Sequence, residues 1–184
     1  DITERKTTEE ELERIFSMSL DMICIADINT ATFLKVNPAF KETLGYSEEE
    51  LLERPFFDFI HPDDIDATMS VVESKLRMGT KAINFGNRYR CTDGRYRWLS
   101  WVSHPNPENG VTYAVARDVT DWKKTEKKLK KSKTLLDATS RMARVGGWEL
   151  DARTLEVSWT DETYRIHELP FDYKPPLQEA INFF

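Results

Sequence analysis

Few side chains in this 184-residue sequence are of types that do chemistry: His61, His104 and His167, Cys24 and Cys91, and a polar and aromatic set at Phe85, Asn87, Tyr89 and Trp101. The histidines sit in unrelated segments. No nucleophile–base pair, metal cluster or phosphate loop occurs at workable spacing, so no catalytic or metal-ligating residue is assigned. His61 precedes Pro62 and reads as a residue that caps and positions a helix start. The cysteines form no CxxC or CxxH pattern, which argues against a disulfide framework or a zinc site and fits a reducing cytoplasm. Both fall on apolar stretches and read as small core residues.

The better candidates are for binding. Asn87 alternates in phase with Phe85 and Tyr89, so the three share one face of a strand. A buried Asn amide donates and accepts at once, which suits a flavin or another heterocycle edge; it equally suits a backbone group in an empty core. Trp101, in phase with Leu99, is expected to line the same space, leaving Trp98 to face outward toward a flanking helix. Met22, Cys24, Met69 and Leu76 complete an apolar wall, methionine being adaptable enough for a pocket. Asp118 has a different role. It closes a strand just before a helix, where a carboxylate favours the helix N-terminus, and Thr120 is the expected N-cap.

The elements that position these residues follow from periodicity and punctuation. A helix is expected over Thr8 to Leu20, capped by Thr7 or Thr8, with Leu12, Ile15, Phe16 and Leu20 near one face. Met22 to Ala26 and Phe33 to Val36 read as strands around a turn at Asp27 to Thr30. Asn37-Pro38 predicts a helix start, with Asn37 as N-cap, and Gly45 its stop. Ser47-Glu48-Glu49-Glu50 caps a second short helix running through Leu51-Leu52 to Pro55, and His61-Pro62-Asp63-Asp64 opens a longer one that ends at Gly79. Three strands follow: Ala82 to Cys91 with Ile83 on the Phe85 face, Arg95 to Ser103 beyond a turn at Thr92-Asp93-Gly94, and Val111 to Val119 beyond a loop over His104 to Gly110. From Thr120 to about Met142 a helix carries Trp122, Leu129, Leu136 and Ala143 at seven-residue spacing, an imperfect heptad seam.

Hydrophobic residues at 40% support a packed core rather than a disordered chain, and the net charge of −6 argues against nucleic acid as a partner. The lysine run from Lys123 to Lys133 then reads as the solvated face of an amphipathic helix. No apolar run reaches the ~20 residues of a membrane span, so direct membrane contact is not expected of this segment. Asp1-Ile2-Thr3 returns as Asp118-Val119-Thr120, each followed by similar charged sequence, a period of about one domain. The organisation inferred is the end of a preceding unit plus linker over 1–20, a complete domain over 21–120, a linker helix over 121–143, and the N-terminal part of a second domain over 144–184. The last segment stops at Phe183-Phe184, where Phe59-Ile60 stood in the first copy.

Several strings in this order resemble the PAS family of sensor domains. They are Val36-Asn37-Pro38-Ala39-Phe40, Leu44-Gly45-Tyr46, Phe59-Ile60-His61-Pro62-Asp63-Asp64, Arg88-Tyr89-Arg90-Cys91-Thr92-Asp93-Gly94, Tyr96-Arg97-Trp98 and Ala116-Arg117-Asp118-Val119-Thr120. The resemblance implies an α+β fold, a five-stranded antiparallel sheet with helices over one face, flanked by linker helices. It implies a cytoplasmic sensor that holds a small ligand between sheet and helices and relays a signal to an output domain such as a histidine kinase, as a parallel homodimer joined through its linkers. It also implies an ion pair from Asp118 to Arg95 or Arg97. Haem is disfavoured, because residues Asp63 to Met78 hold no histidine; a flavin redox sensor and a ligand-free dimerisation scaffold remain alternatives.

Overall fold

The structure, a computed structural model, describes residues 2–174 and 176–182. Asp1, Phe183 and Phe184, which the sequence repeat draws on, lie outside the described residues. The chain forms two compact units, one up to Lys123 and one from Lys124.

The first unit begins with helix α1 (Ile2–Met18), which is already helical before Thr7 and Thr8; neither threonine caps it. Phe16 of α1 is partly buried, but Leu12, Ile15 and Leu20 are exposed instead of sharing a covered face. Strands β1 (Met22–Asp27), β2 (Thr32–Val36), β3 (Ala82–Arg90), β4 (Tyr96–Asn106) and β5 (Val111–Asp118) make one antiparallel sheet in the order β2-β1-β5-β4-β3. Between β2 and β3 run α2 (Ala39–Leu44), α3 (Glu48–Leu52), two short 3₁₀ turns and α4 (Ile65–Val71). Their apolar residues, among them Phe40, Leu51 and Phe59, join the inner face of the sheet in one core. Local chemistry sets these helices. Gly45 ends α2 at φ 89°, where an added Cβ would strike the Thr92 hydroxyl, and Ser47 and Glu50 form a reciprocal capping box on α3.

Three features depart from the expected pattern. The predicted long helix is α4 followed by a π-helical turn, Val72–Leu76, before Gly79. In β3, Asn84 at φ 54° inserts a bulge between Ile83 and Phe85. The extra residue flips the parity, so Ile83 is turned out at 61% exposure while Ala82 points in. The expected loop at His104 is strand as far as Asn106, because β4 runs on against β5 after its pairing with β3 stops at Ser103; such an edge tolerates Pro105.

Helix α5 (Thr120–Ala143) starts in the first unit and leads to the second, and Trp122, Leu129 and Leu136 along its seam are exposed. The second unit contains a strand pair, β6 (Trp148–Leu150) with β7 (Val157–Trp159), then α6 (Asp161–Ile166) and α7 (Leu177–Asn182). No helix among the described residues is long and apolar enough to cross a membrane.

Candidate functional site: a small cavity and the clasp of the outgoing helix

Small residues on the two central strands, Cys24 and Ala26 of β1 with Ala114 and Ala116 of β5, leave room over the middle of the sheet. The result is a cavity of about 60 Å³ between sheet and helices. Met22 is buried on β1 outside the lining, and six of the eight residues expected to bound the pocket line it: Cys24, Leu76, Phe85, Asn87, Tyr89 and Trp101. Met69 does not. It is 47% exposed on the outer side of α4, and its neighbour Thr68, one step round the helix, faces the cavity instead.

The amide of Asn87 is occupied at both ends. Trp101 Nε1 donates to its Oδ1 at 2.8 Å, and its Nδ2 donates to Thr68 Oγ1 at 3.2 Å. Thr68 Oγ1 in turn donates to the backbone oxygen of Asp64 at 2.8 Å. This closed chain is the core-satisfying use of the asparagine. A cavity of 60 Å³ is far below the roughly 300 Å³ at which small-molecule sites begin. At this volume the residues do not fit a flavin. Burial pushes the Cys24 thiol up to about 12 and raises the Tyr89 phenol well above its ordinary value, so both stay neutral.

Asp64 is a second node, and nothing in its local sequence signalled it. Its carboxylate accepts from Arg88 at three points: backbone N at 2.8 Å, Nε at 2.9 Å and Nη2 at 2.6 Å. That hydrogen-bonded guanidinium outweighs burial and holds Asp64 below the usual carboxylate range. Arg88 lies on edge strand β3 opposite Trp98, and its guanidinium carbon stands 5.3 Å from the centre of that ring. Trp98 faces outward, and Lys123 in the first turn of α5 also approaches it, at 5.8 Å.

The start of α5 is fastened to β4. Arg97 Nη1 donates to Asp118 Oδ2 at 2.5 Å, and the Thr120 amide donates to Asp118 Oδ1 at 2.9 Å. Burial works against the Asp118 charge, but the hydroxyl and amide of Thr120 and the Arg97 guanidinium together bring its pKa below the ordinary value. Thr120 is the first residue of α5, not its N-cap. Its hydroxyl accepts from Trp98 N at 2.8 Å, while Val119 N donates to Trp98 O at 2.8 Å, so the β4 ladder continues into the helix. Arg95 is not part of this group; it pairs with Asp93 across the hairpin turn, at 2.6 Å. His61 accepts from Asp63 N at 3.2 Å, a positioning contact at the 3₁₀ turn.

A third node concerns Asn37. The N-cap position of α2 is held by Pro38, and the Asn37 side chain points away from that helix. Its Oδ1 accepts from Ile23 N at 2.9 Å, and its Nδ2 donates to Phe16 O at 3.1 Å and Asp21 O at 3.0 Å. It thereby ties the end of α1 to the start of β1. The only sequence signal available was the Asn itself, and the Pro that follows made a local cap the natural reading.

Residues 33–116 match the family described as PAS fold. Among curated proteins, the chain is 25% identical over 167 residues to the "Probable diguanylate cyclase DgcE" of Escherichia coli (strain K12), covering 88% of this chain and 15% of that protein. It is 27% identical over 146 residues to sporulation kinase E of Bacillus subtilis (strain 168), covering 73% of this chain and 19% of that one. The chain therefore spans less than a fifth of the length of either relative. Among solved structures, the PAS domain of an HTR-like protein from Haloarcula marismortui superposes with a TM-score of 0.54 at 27% identity, over 63% of this chain and 95% of that one. A Colwellia psychrerythraea PAS domain shares the fold at 23% identity, with a TM-score of 0.53 over 66% of this chain and 99% of that one. With its β2-β1-β5-β4-β3 sheet covered on one face by short helices, the first unit is a PAS domain over the matched residues.

Proposed function

We propose that the chain is a cytoplasmic sensory relay, in which a change at the cavity of the first unit is passed to α5 and on to an output domain of a longer parent protein. The supporting observation is the double fastening of α5 to β4. Asp118 and Thr120 bind Arg97 and Trp98 on the strand whose inner face presents Trp101 to the cavity. A displacement of β4 is thus felt at the root of the helix. The exposed seam of Trp122, Leu129 and Leu136 gives α5 a face for its counterpart in a parallel homodimer. Such a pair needs only about 1–3 kcal/mol of coupling to choose between neighbouring arrangements. The kinase relative favours a histidine-kinase output; the cyclase relative supports a diguanylate cyclase in the same place. In this reading the segment itself performs no catalysis.

The test is made in the intact parent. Asp118→Asn and Thr120→Val are expected to cut the stimulus-dependent change in output by about 5-fold or more while the first unit stays folded, in line with the coupling range above. An unchanged response in both variants overturns the relay. A second reading, a ligand-free dimerisation scaffold, is favoured by the Asn87 amide being satisfied from within. Native mass spectrometry separates the two: a retained small molecule supports sensing, and a bare dimer supports the scaffold.

A further inference from the structure

One polar atom on the cavity wall is left over. Thr112, on β5, is 5% exposed, and its Oγ1 is buried without a hydrogen-bond partner among the described residues. An unpaired buried hydroxyl is costly, and native interiors seldom keep one without an ordered small molecule beside it. Ser103, on the neighbouring strand β4, lines the same cavity. The lining includes no Asp, Glu, Lys, Arg or His, so a charged occupant would be buried without a counter-charge. A volume of 60 Å³ corresponds to about two water molecules, or a solute of about two or three non-hydrogen atoms.

We infer that the cavity is a site for an uncharged hydroxyl-bearing molecule of that size, water or a short alcohol, held by Thr112 and not by Asn87. Strand β5 carries Thr112 inward at one end and Asp118 at the other, so the occupant touches the strand that leads into α5. The π-helical turn forms the opposite wall through Val72 and Leu76, and such turns are common at functional sites. The inference deepens the sensory reading and rests on it for its consequence. Binding is scored on this chain alone and relay on the parent's output, so either can fail without the other.

The experiment uses the full 184-residue chain. Amide spectra are recorded during titration with ethanol, with xenon as an apolar probe that needs no hydroxyl, and water–amide cross-relaxation is measured without additive. Saturable ethanol shifts at Thr112, Ser103 and Ala114 identify an alcohol site; cross-relaxation with long-lived water at Thr112 identifies a water site. In T112V either signal is expected to fall at least tenfold while xenon still shifts the same amides, which shows the variant folded and its cavity open. T112S, which keeps the hydroxyl, retains the signal. Absence of both signals in the wild-type chain, failure of xenon to bind it, or equal signals in T112V overturns the inference.

Discussion

The first unit and the second open with the same local construction, yet only the first covers it. In both, an aspartate at the end of the first strand accepts from the amides two and three residues on: Asp27 from Asn29 and Thr30, Asp151 from Arg153 and Thr154. Each turn then carries a non-glycine residue in the left-handed region, Ala31 at φ 58° and Leu155 at φ 57°. Each second strand ends in a two-bond ring back to the first. Asn37 N donates to Ile23 O at 3.0 Å and Ile23 N to Asn37 Oδ1 at 2.9 Å; Thr160 N donates to Gly147 O at 2.9 Å and Gly147 N to Thr160 Oγ1 at 2.9 Å. The β1–β2 ladder has one extra residue where its register shifts, and β6–β7 is regular. Burial separates the two. Every inner position of β1 is buried, whereas Trp148 of β6 is 54% exposed. Turn and ring are products of short-range hydrogen bonding; the core requires β3, β4 and β5.

The comparison is broken or sharpened first at the two rings. Asn37 is 1% exposed and serves three segments, while the shorter Thr160 side chain has no amide to extend and bonds to Gly147 and Thr163 among the described residues. Asn37→Ala leaves Ile23 N and the carbonyls of Phe16 and Asp21 without their side-chain partner, and is expected to cost about 3 kcal/mol. Thr160→Ala is expected to cost about 1 kcal/mol, seen as faster exchange at Gly147. Denaturant unfolding and amide hydrogen exchange measure both. Equal losses would show that Asn37 gains nothing from its reach to α1.

Acid is expected to act unevenly on the two units, with a smaller effect than Asn37→Ala. Asp64 and Asp118 are both held below the ordinary carboxylate value in the folded protein, so they bind fewer protons folded than unfolded. Their contribution is present in full above about pH 4 and is lost as pH falls through the lower folded values. Asp151 is depressed as well, by the turn amides of Arg153 and Thr154. Protonating it loosens one turn, whereas protonating Asp64 and Asp118 loosens contacts between distant segments. Protection factors, exchange corrected for the intrinsic rate at each pH, should therefore fall at Arg88 and Thr120 before the rest of the first sheet as pH drops from about 6 to about 3. A uniform loss of protection across the sheet would contradict this.

The same division decides what was legible in the sequence. Gly45, the cap at Ser47, the Gly94 turn and the alternation of Phe85, Asn87 and Tyr89 are local, and the structure has them where spacing put them. The failures are long-range. Asn37 and Thr120 each look like a helix cap to a reader of neighbours, but their partners at Phe16 and Trp98 lie 21 and 22 residues away. Met69 and Thr68 differ by one step on a helix whose phase is set by packing, and Ile83 lost its place to a bulge at Asn84. Thr112 carried no sign at all, because an unpaired hydroxyl is defined only by what surrounds it.

The smallest effect tests whether the two turns are equivalent. A non-glycine residue in the left-handed region is strained by about 1–2 kcal/mol, and glycine removes that strain at a cost of roughly 0.5–1 kcal/mol in unfolded-chain entropy. Ala31→Gly and Leu155→Gly should therefore each stabilise their hairpin by a few tenths of a kcal/mol up to about 1 kcal/mol. Leu155 is exposed and its side chain contributes little packing, so its gain should be the cleaner of the two. Ala31 packs against the core, and its carbonyl accepts from Phe56 N at 2.7 Å. That bond survives the change, but the methyl contact does not, so Ala31→Gly should gain less. Thermal unfolding of the first unit and exchange at Glu156, next to the second turn, provide the readouts. A loss of stability at Leu155→Gly would mean that the second turn is held by something other than the strained backbone it shares with the first.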